Sequence, residues 1–413
     1  MSLSVSTTYA GRSLLRHARR TILSILGIGL ATGVSLFMVA FVRGESGMML
    51  RAAAESGNGH FRLVPAAWCK TRDDGLRLSS WKGLLASIRS MDGVRVATPH
   101  ARTEALLAFG TRSVGVLILG VDASTEASAD RLVHNVVQGR YLRSGDLGTA
   151  VVGRSIATRL DVGLDDPLMA TVAAADGQMR GAMLRIVGIV STGSEDLDAT
   201  ICHVNLEDIE ALSGLPGAGE ITVIVREPEY LDRTIARVRE RLPAGVSVIT
   251  WRELMPELAA GTQVDRTWTR LTVGIVMIVA FLGIASAQLA AVLERRREFA
   301  VLAALGMRSG RLVHVMLMEG IVLGLLGALV GLTLGGGAAY YVHTEGIDFG
   351  RLYGQGDWTM SNVLIDPVFF GDFGVWLIPL AFVLALGATL LSSLYPAWYA
   401  VRTDPAHALR VEN

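Results

Sequence analysis

The sequence predicts a membrane α-helical protein: four transmembrane helices, with a large extracytoplasmic α+β domain of two subdomains inserted between the first and second helices. Three observations predict it. The apolar runs 21–42, 271–293, 312–342 and 373–401 each reach the roughly 20 residues that span a bilayer. Residues 43–270 have ordinary mixed polarity. Arginines cluster at alternate ends of the runs, as the bias toward cytoplasmic positive charge requires. Composition agrees, with 51% hydrophobic and 18% charged residues and a mean hydropathy of +0.43.

Taken in order, residues 1–20 read as a cytoplasmic interfacial helix, with Arg12, Arg16, Arg19 and Arg20 interleaved with Leu14 and Leu15. Residues 21–42 form the first span. The run is longer than a signal-peptide apolar core and no small-x-small site follows before Arg43, so an uncleaved signal anchor is expected. Gly27, Gly29 and Gly33 would let another helix approach closely.

Residues 43–270 form the outside domain. Strands are expected at 60–65, 94–109, 113–121, 149–152, 168–173, 183–190, 220–225 and 246–250. Helices are expected at 79–91, 155–160, 206–212 and 230–241. This pattern divides into an α+β subdomain, residues 57–109 plus 218–250, and an inserted β-rich subdomain, residues 110–217. Residues 251–265 read as a helical lead into the second span, with Pro256 marking its first turn or a bend.

Residues 271–293 form the second span, 312–342 the third and 373–401 the fourth. Residues 294–311 lie between two spans, charged at first and amphipathic after. Such a helix can only lie at a membrane surface, where it would receive force from a partner. Arg295, Arg296, Arg297, Arg308 and Arg311 put it in the cytoplasm with both termini. The loop 343–372 carries Glu345, Asp348, Asp357, Asp366 and Asp372 and falls outside; residues 402–413 form a cytoplasmic tail.

The third span presents Gly320, Gly324, Gly327, Gly331 and Gly335 at helical spacing, a grooved face for close packing. Glu319 is its intramembrane carboxylate, read as a structural partner for a nearby arginine or helix end rather than as a proton or substrate group.

Several chemistries are excluded. The only lysines, Lys70 and Lys82, follow Cys69 and Trp81, so neither belongs to a phosphate-binding loop. No HExxH, GxSxG or zinc spacing occurs, so no catalytic or metal residues are assigned, and Glu195, Asp196 and Asp198 read as loop acids. Cys69 and Cys202 both fall outside, where a disulfide or two free thiols are equally consistent. The formal net charge of +0 gives no bulk field for nucleic acid.

Four segments in this order resemble the MacB/FtsX/Lol family of ABC-transporter permeases: residues 12–27 into the first span, 294–307, Glu319-Gly320 with the glycines after it, and 395–400 followed by Pro405 and Ala408-Leu409-Arg410. Residues 139–146, 189–193 and 346–349 are similar to its lipoprotein-releasing LolC/LolE branch. The resemblance implies that 294–311 is a coupling helix on a cytoplasmic ABC ATPase dimer. Glu294, Arg297, Glu298 and Arg308 would orient it, and Phe299, Leu302, Leu305 and Gly306 would fill the ATPase groove. Phe299 stands where isoleucine is usual and Ala303 where a basic residue is usual.

The resemblance also implies a non-catalytic subunit of a bacterial inner-membrane transporter. ATP and Mg would be bound by the partner ATPase and no cofactor by this chain. A second permease (itself or a paralogue), membrane lipid, lipoproteins and a periplasmic carrier are the other implied partners. A MacB-like efflux permease and an FtsX-like mechanotransmitter that activates a periplasmic partner remain alternatives; a ligand-sensing receptor ranks last, because no kinase, cyclase or HAMP-like output is encoded.

Overall fold

A computed structural model describes residues 18–294, 309–353, 358–360, 363–365 and 368–402. Residues 1–17, 295–308 and 403–413, expected from the sequence to be an interfacial helix, most of a coupling helix and a tail, lie outside the described residues. The chain divides into two compact units, with breaks after Glu45, Thr262, Ile347 and Val368.

The first helix, α1, runs from Ala18 to Glu55, 38 residues or about 57 Å at 1.5 Å per residue. Its apolar run ends at Arg43, but the helix does not. Met48, Met49, Ala52, Ala53 and Ala54 are buried, so the second part of the helix has a core of its own to face.

The unit spanning 46–262 is built on one ten-stranded sheet. Its first strands are β1 (Phe61–Pro65), β2 (Val94–Phe109) and β3 (Arg112–Val121), with helix α2 (Trp81–Arg89) between β1 and β2. Helix α3 (Ala123–Ala129) and strands β4 (Val136–Gly139) and β5 (Thr149–Gly153) follow. Then come α4 (Arg154–Leu160), β6 (Pro167–Ala173), β7 (Met179–Val190), β8 (Cys202–Asn205) and α5 (Leu206–Ser213). Strand β9 (Glu220–Val225), helix α6 (Leu231–Arg241) and β10 (Val246–Thr250) close the unit. The strand order is β10-β1-β9-β2-β3-β8-β5-β7-β4, and β6 bridges β2 and β7.

Strand β2 organises the sheet because it is 16 residues long. Its first half pairs with β9 and its second half with β3 and β6. Leu107 and Ile118 are fully buried under the second half, with Ile156, Leu168, Leu184 and Ile186. A smaller core gathers Val121, Leu132, Val151, Val190 and Ile201. Helix α2 buries Leu84, Leu85 and Ile88, the periodic side read from the sequence.

Several short elements have no counterpart in the sequence reading, among them α3, β4 and β8. The two strands are four residues each, too short for alternation to register. Helix α3 has the sequence ASTEASA, without an apolar stripe. It forms because Asp122 accepts from Ser124 N at its start and because Glu126 is drawn inward. The cysteines are free, with Cys69 exposed and Cys202 buried in the larger core.

Further along the chain come α7 (Pro256–Glu294), α8 (Ser309–Gly331), α9 (Gly337–Thr344) and α10 (Leu377–Arg402), with a π-helical turn, Leu332–Gly336, between α8 and α9. Pro256 opens α7, at a position where a missing N–H costs nothing. Among the described residues, four helical segments are long and apolar enough to cross a membrane: Thr21–Glu55, Pro256–Glu294, Met316–Thr344 and Leu377–Leu394.

In the helical unit, residues 370–372 clasp α1. Asp372 N donates to Ala40 O at 2.9 Å, and the Asp372 carboxylate pairs with Arg43 at 2.9 Å. Arg43 also stacks 4.2 Å above the Trp376 ring. Gly44 permits the approach, since a Cβ there would overlap the backbone of residues 370–372.

Truncating Leu107 to alanine is expected to cost about 2–5 kcal/mol. The readout is lost hydrogen-exchange protection along β2 and β3. Met183→Ala, at an exposed site, is expected to change protection by less than about 0.5 kcal/mol.

Candidate functional site

In the helical unit, the glycines of α8 and of the π-helical turn serve two neighbours in succession. A Cβ at Gly320 would stand 2.5 Å from Ser393 Oγ, and one at Gly324 2.5 Å from Thr389 Oγ1, both on α10. One turn further on, Gly327 meets Ile28, Gly331 meets Thr32 and Gly335 meets the Gly33 backbone, all on α1. Gly29, opposite Val330, joins this seam, whereas Gly27 has nothing within 4 Å of its would-be Cβ. The α10 side is made of small residues as well: Ala381, Ala385, Thr389, Ser392 and Ser393 are buried. Their hydroxyls return hydrogen bonds to their own helix, Thr389 to Ala385 O at 3.0 Å and Ser393 to Thr389 O at 2.6 Å. The α10 hydroxyls are thus satisfied without widening the seam, whereas the buried Thr32 Oγ1 on α1 has no hydrogen-bond partner among the described residues.

Glu319 is half-buried on α8. Glu294 ends α7. Arg297, Glu298, Phe299, Leu302, Leu305, Gly306 and Arg308 lie outside the described residues.

The sheet unit contains a second arrangement, where the chain leaves α1. Gly57 and Gly59 take φ of +77° and +66° and turn the chain into β1. Arg62, 2% exposed, knits this turn together. Its Nε donates to Asn58 O at 3.1 Å and its Nη2 to Asn58 Oδ1 at 2.6 Å. Its Nη1 reaches Glu220 Oε2 on β9 at 3.1 Å. Arg102 on β2 takes the other oxygen of Glu220, also at 3.1 Å.

Beside this clamp, His100 is completely buried, with Thr222 Oγ1 at 3.0 Å and Glu126 Oε2 at 2.8 Å. Thr98 donates to the same Glu126 oxygen at 3.1 Å. Asp130 Oδ1 accepts from Leu132 N at 2.8 Å. Its Oδ2 is buried and has no partner among the described residues. His203 Nδ1 lies 2.7 Å from the Tyr141 hydroxyl. The chain leaves the sheet next to where it entered: Phe61 pairs with Thr250, and Trp251 N donates to His60 O at 3.1 Å.

Burial would raise the Glu220 carboxyl, but Arg102 and then Arg62 hold it at about 2. Burial also works against Glu126, and His100 beside it keeps the carboxyl below the ordinary glutamate value. Asp130 goes the other way: burial, then Glu126, hold it well above an ordinary aspartate. Burial pushes His203 and His60 down to about 4.

The charged groups of this network are enclosed, and among the described residues no cluster of three His, Cys, Asp or Glu could hold a metal. The loop acids are structural or exposed. Asp198 is buried and accepts from Thr192 N and Oγ1 at 2.8 Å each, while Glu195 and Asp196 face solvent. Sequence reasoning passed over the joint. The available signal was a charge inside an apolar strand, Arg62 in FRLVP and Glu220 opening EITVIV.

Residues 21–241 match the MacB-like periplasmic core domain family, and residues 270–405 match the FtsX-like permease C-terminal family. Among curated proteins, the chain is 22% identical to the lipoprotein-releasing system transmembrane protein LolC of Xylella fastidiosa, covering 94% of this chain and 93% of that one. It is also 22% identical to LolE of Haemophilus influenzae, covering 92% of each. The macrolide export ATP-binding/permease protein MacB of Pasteurella multocida is 24% identical over 96% of this chain and 58% of its own length.

Two outcomes are expected here. Gly335→Ala should lower the thermal midpoint in detergent by the equivalent of about 1–3 kcal/mol, and Gly27→Ala should leave it unchanged. On acidification, the sheet unit should weaken in two stages. The histidines' contribution is complete above about pH 6.5 and falls away toward about 4. That of Glu220 is complete above about 4.5 and falls away toward about 2. Near-ultraviolet circular dichroism should show both stages, and Glu220→Gln should reduce the second, leaving the part that Glu126 contributes.

Proposed function

This chain belongs to the MacB/FtsX-like family of ABC-transporter permeases, and on that premise we propose that it is the membrane subunit of a lipoprotein-releasing transporter in a bacterial inner membrane. The observation that carries the reading is coverage. Relatives named as lipoprotein-releasing system proteins align with nearly the whole chain over nearly their whole lengths.

In this reading both termini and residues 294–311 are cytoplasmic. The domain inserted between the first two spans is periplasmic and consists of two subdomains, 57–109 plus 218–250 and 110–217. ATP and Mg are bound by a separate ATPase dimer, and this chain contributes no catalysis. ATP-driven closure presses on Arg297–Arg308 through Phe299, Leu302, Leu305 and Gly306. The spans respond by tilting. Helix α1 is followed by strand β1, and strand β10 precedes α7 through the short helix Trp251–Leu254; the two strands pair with each other, so motion of either helix enters the sheet at one place. A second permease completes the pathway, and a periplasmic carrier accepts the lipoprotein.

A MacB-like efflux permease is the second reading, favoured by the match of residues 21–241 to the MacB-like periplasmic core domain. Photocrosslinking from the first two spans during ATP turnover separates the two. Acylated lipoprotein in the adducts supports release, and adducts without it support efflux. Leu302→Asp is expected to reduce copurification of the ATPase by at least about tenfold. An undiminished complex would remove 294–311 as the docking site.

A further inference from the structure

The open face of the hairpin β2–β3 forms the floor of a groove of about 900 Å³ within the sheet unit. Strand alternation explains its character. Ala105, Leu107, Val116 and Ile118 point into the core, so Arg102, Glu104, Leu106, Leu117 and Leu119 point the other way. Gly115 stands opposite Leu106 and leaves the floor hollow there. Leu106 is 47% exposed and Leu117 36%. Leu132, Leu197 and Ile201 extend the apolar wall, and Asn58, Asp130 and His203 form a polar end. The volume falls within the range of small-molecule sites, and the groove, open to solvent, sets an apolar floor beside polar and charged lining residues.

Charge determines the class of occupant. The basic lining residue, Arg102, is committed to Glu220. The lining also carries Asp74, Glu104 and Asp130. Around the polar end, Arg62 and Arg102 share Glu220, and Glu126 has His100. Asp130 is 2% exposed, and among the described residues no cation pairs with it. A buried carboxyl in that position either keeps its proton or waits for a positive charge from elsewhere. An anionic headgroup would meet the carboxylates of Asp74 and Glu104 and, among the described lining residues, only Arg102, which is paired with Glu220.

We propose that this groove binds an ammonium-bearing amphiphile, lipid or solute, with its positive charge at the Asp130 end and its apolar body along Leu106 and Leu117. The polar end includes Ser56, Gly57 and Asn58, the turn that Arg62 knits to Glu220. Occupancy is therefore felt where β1 begins. The inference rests on the sheet unit alone and does not depend on the permease reading.

The test uses the full chain in neutral maltoside micelles and two fluorescent probes of matched length. Dansylcadaverine carries an ammonium, and dansyl-6-aminohexanoate a carboxylate. The wild type is expected to bind dansylcadaverine saturably above empty micelles and at least about tenfold more tightly than the carboxylate probe. Asp130→Asn is expected to reduce that preference to within about threefold. Leu117→Lys, at an exposed position where folding is not at stake, places an ammonium beside Glu104 and should weaken dansylcadaverine about tenfold. Competition by dihexanoyl phosphatidylethanolamine, and not by the phosphatidylglycerol analogue, assigns the occupant as lipid. Absence of that competition, with probe binding intact, assigns a solute. Equal affinity for the two probes, no saturable binding, or a preference unchanged in both variants would overturn the proposal.

Discussion

A carboxylate held between two guanidiniums, away from water, has little freedom to move. Glu220 is in that position, with Arg62 on one side and Arg102 on the other. Removing one member of such a buried set costs about 3–5 kcal/mol, because the others are left uncompensated. The strands that carry these residues are β1, β9 and β2, neighbours in the sheet. The turn after α1 hangs on the same guanidinium through Asn58. The register of the first strand, the path of the chain leaving α1 and the alignment of the long strand β2 all meet at this one group.

The helical unit is governed by a different constraint. In lipid there is no hydrophobic gain from pressing two apolar helices together, so close backbone approach must supply the attraction. The glycines of α8 and its π-helical turn permit it, first against α10 and then against α1. The π-helical turn lies where Gly335 passes the Gly33 backbone, at the tightest part of the seam. The hydroxyls of α10 are tied to their own carbonyls and do not hold the helices apart. The two units thus rely on opposite devices: buried charge in the sheet, absence of side chains in the helices.

Much of the chain was legible before its structure. The apolar runs coincide with four long helices, since twenty residues without charge have few alternatives. Most strands of the outside domain fall where alternation and β-branched residues place them. The boundaries moved where tertiary contacts extend an element. Helix α1 continues past Arg43 to Glu55 because Met48 and Ala52 find a core. Helix α3 was not legible, because its cause is a cap and one inward-facing glutamate rather than a stripe. Gly27 and Gly29 look alike along the chain, yet only Gly29 touches a neighbour. Helical spacing alone assigned Gly33, Gly327, Gly331 and Gly335 to one kind of face without naming the partners.

By itself, the sequence determined where the long apolar helices lie, that a stretch of mixed polarity with strands separates the first two, and that glycines recur at helical spacing along the third. Each of these follows from local composition and period, which neighbouring residues carry in their own order. Only the tertiary structure decided that Arg62, Arg102 and Glu220 form one clamp, that His100 meets Glu126, and that Asp130 lies beside the groove with no cation paired to it among the described residues. Arg62 and Glu220 are 158 residues apart. Charge pairing at that separation is set by which strands become neighbours in the sheet, and no local pattern encodes that choice.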